Sequence, residues 1–300
     1  MRAVDGVDFT IYENETLGVV GESGCGKSTL GRLLVRLLDP TSGKISFKQR
    51  NIFAMNASDK MEFRREVQMI FQNPFASLNP RKTIRQILQQ PFVVHKVIDK
   101  SELYSRISEL LGTVGLTPAE SFLDRYPHEL SGGQRQRLVI CRAIALRPRF
   151  IVADEPVSAL DVSIRSQILN LLRRLQREFN LTQMFITHDL GVARAMCSRT
   201  AVMYLGRIVE LGPDELYQNP LHPYSKALLS AAPYPHPETR KRSRIILSGE
   251  VPSPTDPPKG CRFHPRCKFS MPECASVEPN LVEVAHNHLV ACHLHRKSSR

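Results

Sequence analysis

The stretch Leu17-Gly18-Val19-Val20-Gly21-Glu22-Ser23-Gly24-Cys25-Gly26-Lys27-Ser28 passes from a short apolar run into a glycine-rich turn and then into a helical pattern. The apolar run reads as a buried strand. The turn follows G-x-x-x-x-G-K-[ST], whose glycines let backbone N–H groups face phosphate oxygens while the next helix adds its positive end. Strand, phosphate-binding loop and helix in that order predict a mainly parallel α/β core. The helix is expected over Ser28 to Leu38, with Leu30, Leu33, Leu34, Leu37 and Leu38 on one face and Asp39-Pro40 as its stop.

Outward from that loop, strand and helix patterns alternate. Val7-Asp8-Phe9-Thr10-Ile11 alternates like a strand, and Ile45-Ser46-Phe47 reads as another. From about Met61 to Arg149 the pattern is mostly helical, clearest over Ser101–Leu111 and Gln134–Leu146. Alternation then resumes with a strand at Phe150–Asp154, a helix at Ser163–Phe179, a strand at Met184–Thr187 and a helix at Leu190–Met196. Further strands are expected near Thr200–Tyr204 and Arg207–Glu210. Composition shifts after about Ala232, where ten of 21 prolines, four of seven cysteines and six of ten histidines fall. The expected organisation is a nucleotide domain over 1–230, with a helical subdomain at about 72–148, and a Pro- and Cys-rich extension over 231–300. No internal repeat is visible.

At 300 residues, 42% apolar and 23% charged, the chain is long enough for a substantial core and is not of disordered composition. No apolar run reaches the roughly 18–20 residues of a membrane span. The segment Met1-Arg2-Ala3-Val4-Asp5-Gly6 lacks the apolar core of a signal peptide, so a cytoplasmic protein is expected. The net charge of +12 fits a solvated basic surface, nucleic acid or an anionic membrane face. Its one compact basic cluster, Arg240-Lys241-Arg242-Ser243-Arg244, carries no aromatic residue to stack on bases, so charge alone selects none of these.

The loop and three other stretches supply the parts of an ATP site. Gly21, Glu22, Ser23, Gly24, Cys25 and Gly26 would wrap the phosphates, Lys27 would reach the β- and γ-phosphates, and Ser28 would ligate Mg²⁺ with Thr29 beside it. Asp154 ends an apolar strand, where its carboxylate can enter the Mg²⁺ shell, and Glu155 can deprotonate the attacking water. Gln72, in Phe71-Gln72-Asn73-Pro74, could touch the γ-phosphate, Mg²⁺ or water, and His188 follows Phe185-Ile186-Thr187 at a strand end. Taken alone, Gln72 reads as a surface residue, His188 as a structural histidine and the two acids as salt-bridge partners.

Leu130-Ser131-Gly132-Gly133-Gln134, followed by Arg135-Gln136-Arg137, resembles the signature loop of ABC-type ATPases. The resemblance extends to Ser158-Ala159-Leu160-Asp161 as a D-loop and to Gln72 and His188 as Q-loop and H-loop residues. It implies a P-loop, RecA-like core with an antiparallel β subdomain and a helical signature subdomain. It also implies that Ser131, Gly132, Gly133, Gln134 and Asp161 act on ATP sandwiched with a second ATPase domain. Asn73-Pro74-Phe75-Ala76-Ser77-Leu78-Asn79-Pro80-Arg81, Tyr126-Pro127-His128-Glu129 and Asn219-Pro220-Leu221-His222-Pro223-Tyr224 narrow the likeness to the ATPase subunits of dipeptide and oligopeptide importers, over essentially the whole chain.

That likeness implies two transmembrane permease subunits, a second and related ATPase subunit in a heterodimer, an extracytoplasmic solute-binding protein, and a peripheral place on the cytoplasmic face of the inner membrane. No nucleic acid would be bound. The runner-up is a soluble ABC ATPase acting on nucleic acid or the ribosome. Such proteins usually carry two nucleotide domains or a long coiled-coil insertion, and neither is present here. A non-hydrolysing regulatory subunit conflicts with Glu155, His188 and the Leu130–Gln134 loop.

The family's upstream adenine-stacking aromatic would fall at or before Met1, and Tyr12 lies too close to the phosphate loop to replace it. A chain that begins earlier, or weaker adenine binding, is expected. Cys25 reads first as a small loop residue, but its place near a helix N-terminus favours a thiolate, and alkylation that ATP blocks is expected. The last four cysteines follow C-x5-C-x6-C-x17-C, without the tight pairs usual in zinc sites. Zinc, unliganded thiols and a [4Fe–4S] cluster on Cys261, Cys267, Cys274 and Cys292 all remain open from spacing, and the importer likeness favours the cluster. His264 and His293 are read as packing or surface residues.

Overall fold

The structure, a computed structural model, describes residues 2–99, 101–231, 245–247 and 249–295. The basic cluster at 240–244, His236 and the expected start of the extension lie outside the described residues. In chain order the strands are β1 (Thr16–Val20), β2 (Ser46–Phe47), β3 (Arg50–Asn51), β4 (Val67–Ile70), β5 (Phe150–Asp154), β6 (Thr182–Ile186), β7 (Arg199–Tyr204), β8 (Arg207–Pro213), β9 (Val282–Ala285) and β10 (His288–Val290). The helices are α1 (Lys27–Leu34), α2 (Ala57–Glu66), α3 (Pro74–Ser77), α4 (Ile84–His95), α5 (Leu103–Thr113), α6 (Glu120–Leu123), α7 (Gly132–Ile144), α8 (Val162–Glu178), α9 (Leu190–Met196) and α10 (Pro223–Ala231). Among the described residues no helix is long and apolar enough to cross a membrane.

The chain divides into two compact units, Met1–Gly31 with Phe185–Arg300, and Arg32–Met184. In the first unit β1 pairs parallel with β7, in register Leu17↔Arg199 to Val20↔Val202. Strand β8 returns antiparallel to β7, and the C-terminal strands extend the sheet, β10 on β8 and β9 on β10. The core on this sheet joins Val20, Val202, Tyr204, Leu216, Tyr224 and Phe263, so a residue of the cysteine-bearing tail is part of it. Aromatic edges pack there: Tyr204 and Phe263 meet edge-on at 5.3 Å, and Tyr204 and Tyr224 lie 4.7 Å apart.

In the second unit β4 pairs parallel with β5, Val67↔Phe150 through Ile70↔Ala153. The antiparallel β2–β3 pair supplies a small β element. Helices α3, α4 and α5 pack on α7, whose Leu138, Val139, Ile140 and Cys141 are fully buried. Burial of eight of its residues, the polar Arg135 and Gln136 among them, marks α7 as a central helix. Together the two units give an α/β fold with parallel and antiparallel pairings and a helical region, as the motifs imply.

Three expectations need correction. Helix α1 stops at Leu34, because Arg36 turns left-handed (φ 57°) and the Leu37 N–H closes back on the Arg32 carbonyl at 2.8 Å. Leu37 and Leu38 are consequently exposed. The strand expected over Val7–Ile11 does not form; the chain there is tied by Asp5 N–H on the Gly206 carbonyl and Arg199 on the Thr10 carbonyl. Strand β4 lies where helix was expected, since Val67 ends α2 and starts the strand with no turn residue between them.

Candidate active site

The phosphate loop lies in the first unit and is held from within. Gly26 adopts φ 108°, and any Cβ there would collide with the Ala3 carbonyl. Only glycine meets both demands. Lys27 is buried, and its ammonium donates to the Gly21 and Glu22 carbonyls at 2.8 and 2.9 Å, which curls the loop around its own lysine. Ser28 and Thr29 follow in the first turn of α1. In the same unit the Thr187 N–H bonds to Val19 O at 3.2 Å, linking the end of β6 to β1. Asp189 then caps α9, its carboxylate accepting from Gly191 and Val192 N–H, which leaves His188 exposed at the bend between β6 and α9.

Cys25 departs from expectation. It is 4% exposed, and burial pushes its thiol up, against the pull of the Lys27 ammonium 3.7 Å from Sγ. The helix end does not produce a ready thiolate at this site. Tyr12 is exposed, with the Arg199 guanidinium 5.1 Å over its ring.

The second unit brings Gln72 and Glu155 together: the Gln72 Nε2 donates to the Glu155 carboxylate at 2.9 Å. Asp154 ends β5 almost fully buried, at 2% exposure. Glu155 takes the left-handed conformation (φ 45°), uncommon for a side-chain-bearing residue and costing of order 1 kcal/mol. No local sequence pattern revealed that backbone conformation. Asn73 caps α3 by accepting from Phe75 and Ala76 N–H, fixing the chain just after Gln72.

The loop before α7 is equally fixed. Ser131 caps the helix through a reciprocal box with Gln134, the Ser131 N–H donating to Oε1 at 3.0 Å and Gln134 N–H to Oγ at 3.2 Å. Arg135 is buried beneath, donating to the Pro127 and Leu130 carbonyls at 2.8 Å each and stacking 3.7 Å over Phe75. Arg135 was noted after the loop in the sequence but given no role; its place one turn inside a glycine-opened helix was the available signal. At Gly133 a Cβ would lie 2.7 Å from the Ile164 side chain of α8, so any larger residue there would have to displace it. Ser131, Gly132 and Asp161 are exposed.

In the first unit the tail forms a separate pocket, lined by Cys261, Cys267, Cys274, Cys292, Phe263 and His293 among others. All seven cysteines are free thiols. Burial pushes the Cys261 thiol up to about 11, and Cys267 and Cys292 are also raised by burial. Among the described residues no three His, Cys, Asp or Glu side chains are placed to hold a metal ion, so the geometry of a zinc site is not found. No metal-binding cluster is thereby located either. His264 faces the Cys261 carbonyl at 2.9 Å and His293 the Val277 carbonyl at 2.9 Å.

The ABC transporter family model matches residues 4–158, and that of the oligopeptide/dipeptide transporter C-terminal region matches residues 209–274. The oligopeptide transport ATP-binding protein AppF of Bacillus subtilis is 54% identical over 98% of this chain and 90% of its own length. OppF of Salmonella typhimurium, also an oligopeptide transport ATP-binding protein, is 50% identical over 97% of this chain and 87% of its own. The dipeptide transport ATP-binding protein DppF of Haemophilus influenzae is 48% identical over 97% and 89%. Among solved structures, the ATP-binding cassette MJ0796, a dimer in a post-hydrolysis state with ADP and Pi, aligns with TM-score 0.63 and 30% identity over 70% of this chain and 90% of that one.

Proposed function

The chain belongs to the ABC transporter ATP-binding family, and from that premise we propose that it hydrolyses ATP to energise an importer of dipeptides or oligopeptides. The reading leans most on the likeness to peptide-transport ATP-binding proteins over nearly the full chain, tail included.

The donor set suits the nucleotide. A buried lysine, a serine hydroxyl at a helix start and a buried carboxylate at a strand end are the groups a Mg²⁺-bound triphosphate needs. Mg²⁺, when bound, neutralises charge shared by the β- and γ-phosphates. Lys27 exchanges its loop carbonyls for phosphate oxygens. Ser28, Asp154 and Gln72 would supply hard oxygen ligands to the Mg²⁺. Glu155, oriented by Gln72, takes the proton of the attacking water, and His188 contacts the γ-phosphate. The reaction proceeds by positioning and charge neutralisation, with no covalent intermediate on the protein.

Ser131, Gly132, Gly133, Gln134 and Asp161 serve ATP held by a second ATPase subunit. Their rigid, exposed loop presents backbone N–H groups and a helix N-terminus to an anion their own chain does not bring. That subunit is a related chain in a heterodimer. The pair sits peripherally on the cytoplasmic face of the membrane beneath two permease subunits, fed by an extracytoplasmic binding protein. The 1–230 core is the nucleotide domain and 231–300 the extension.

In the extension the thiolates of Cys261, Cys267, Cys274 and Cys292 would hold a [4Fe–4S] cluster in a structural or regulatory role, since hydrolysis needs no electrons. Support comes from the convergence of four unpaired thiols on one pocket. Protein purified anaerobically and found free of iron and acid-labile sulfide ends that part of the proposal.

The proposal as a whole is tested by tagging the chain, solubilising membranes in mild detergent with ATP and Mg²⁺, and identifying what co-purifies. Two multi-span permeases and a second signature-bearing ATPase are expected. Ribosomes or nucleic acid without membrane protein would overturn it.

A further inference from the structure

Glu22 is the first variable residue of the phosphate loop, and the loop's function gives its carboxylate no task. A negative side chain beside a site for a polyphosphate anion raises the energy of binding unless something neutralises it or turns it away. The structure supplies a neutralising partner from the far end of the chain.

The Arg266 guanidinium donates from Nη1 to Glu22 Oε2 at 2.9 Å and from Nη2 to Oε1 at 3.3 Å, a two-pronged pair of the kind that fixes carboxylate orientation. Arg266 is 8% exposed, and the same Nη1 lies 3.4 Å from the Tyr204 hydroxyl. Burial works against its charge, and the hydrogen bonds to Glu22 and Tyr204 offset that cost. The Glu22 backbone is held as well: its N–H donates to the Tyr224 hydroxyl at 2.9 Å. Tyr204, Tyr224 and Phe263 form one aromatic cluster. Arg266 itself sits in the short turn between Phe263 and Cys267, whose thiol lines the tail pocket. Beside it Arg262 donates to the Leu205 carbonyl and the Asp5 carboxylate, and the Gly206 N–H closes on the Cys25 carbonyl at 2.8 Å.

We infer that Arg266 is a positioning residue of the ATPase: it draws the Glu22 carboxylate away from the phosphates and, through Glu22, sets the curl of the loop around Lys27. The cysteine-bearing tail is thereby a working part of the nucleotide site. Glu22 shows its other side to the same lysine, since its carbonyl accepts from Lys27 at 2.9 Å. Releasing the carboxylate therefore disturbs both the charge near the phosphates and the carbonyl that orients the lysine. A small displacement of reacting or binding groups carries large consequences.

This inference rests on the nucleotide-binding reading, and wild-type binding separates the two. The full chain is titrated with a fluorescent ATP analogue in Mg²⁺, comparing wild type, Arg266→Gln, Arg266→Lys, Glu22→Gln and the Glu22→Gln/Arg266→Gln double variant, with melting temperatures alongside. Arg266→Gln is expected to weaken binding roughly 10- to 100-fold, Arg266→Lys to fall between it and wild type, and the double variant to recover most of the loss because no bare carboxylate remains. A merely structural arginine would give no such recovery. Arg266→Gln binding like wild type, or a loss equal in the single and double variants, overturns the inference. Should Arg266→Gln not fold, wild-type affinity in Arg266→Lys together with a Glu22→Gln variant unchanged in affinity and in its dependence on salt overturns it too. A wild-type chain that binds no nucleotide would instead sink the function proposed above.

Discussion

Replacing Phe263 with Ala tests whether the tail is built into the core of the first unit. The ring is 1% exposed and meets Tyr204 at 5.3 Å, Tyr224 at 5.4 Å and His222 at 5.6 Å between centroids. Phe-to-Ala changes at such sites cost about 3–5 kcal/mol, the transfer of the ring plus the cavity left behind. Each aromatic pair contributes about 0.5–1.5 kcal/mol of that. If the loss falls on docking of the tail, its open population rises by a factor of roughly 10² to several times 10³. Two assays read this. Guanidinium unfolding should show the destabilisation, and trypsin should gain access to Arg262 and Arg266, which are 7% and 8% exposed in the folded chain. Phe269, six residues on and 59% exposed, is the internal control: Phe269→Ala should stay within about 0.5 kcal/mol of wild type. Equal stability of the two variants, with no new cleavage at Arg262 or Arg266, would refute the reasoning.

Glu155→Gln should lower ATP turnover by about 10²–10⁴ while ATP still binds, as expected of a lost base; undiminished turnover in steady-state assays would remove Glu155 from that role. Alkylation at neutral pH should leave Cys25 unmodified over a time that fully modifies an exposed thiol, with or without ATP, because burial raises that thiol; rapid labelling blocked by ATP would show that the helix end governs it after all. Burial pushes the His222 imidazole down to about 4, whereas an unfolded histidine titrates near 6.5. The unfolded chain therefore takes up this proton first, and stability fully present above about pH 6.5 is lost as pH falls toward 4, by of order 3 kcal/mol. Denaturation at pH 7.5 and 4.5 should show a smaller acid loss in His222→Gln than in wild type, and identical losses would contradict the assignment.

The legible parts of this chain were those whose physics is local. A glycine-spaced loop after an apolar strand, a helical pattern over Gln134–Leu146 and a strand ending in two acids each declare themselves within about a dozen residues, and the structure forms a strand, a helix and a strand at those places. What stayed hidden depends on distant pairing. Strand β4 is only four residues long and takes its identity from β5, far along the chain. Strand β10 is three residues long and becomes a strand by bonding to β8. Glu210 looked like an ordinary strand residue, yet it is fully buried, its carboxylate meeting His288 at 2.7 Å and accepting from the Leu221 and His222 N–H groups. Those hydrogen bonds outweigh burial and hold its pKa below the usual carboxylate value. The Glu22–Arg266 pair spans 244 residues, and no local spacing announces it.

Peptide uptake by right-side-out vesicles tests the central claim most directly. Vesicles carrying the assembled transporter are loaded with ATP and Mg²⁺ and given binding protein with a labelled di- or oligopeptide outside. Uptake that requires both this chain and hydrolysable ATP inside, and falls to background with a non-hydrolysable analogue, is the predicted result. Uptake that continues without this chain, or rapid ATP hydrolysis by the complete assembly with no peptide taken up, would contradict it.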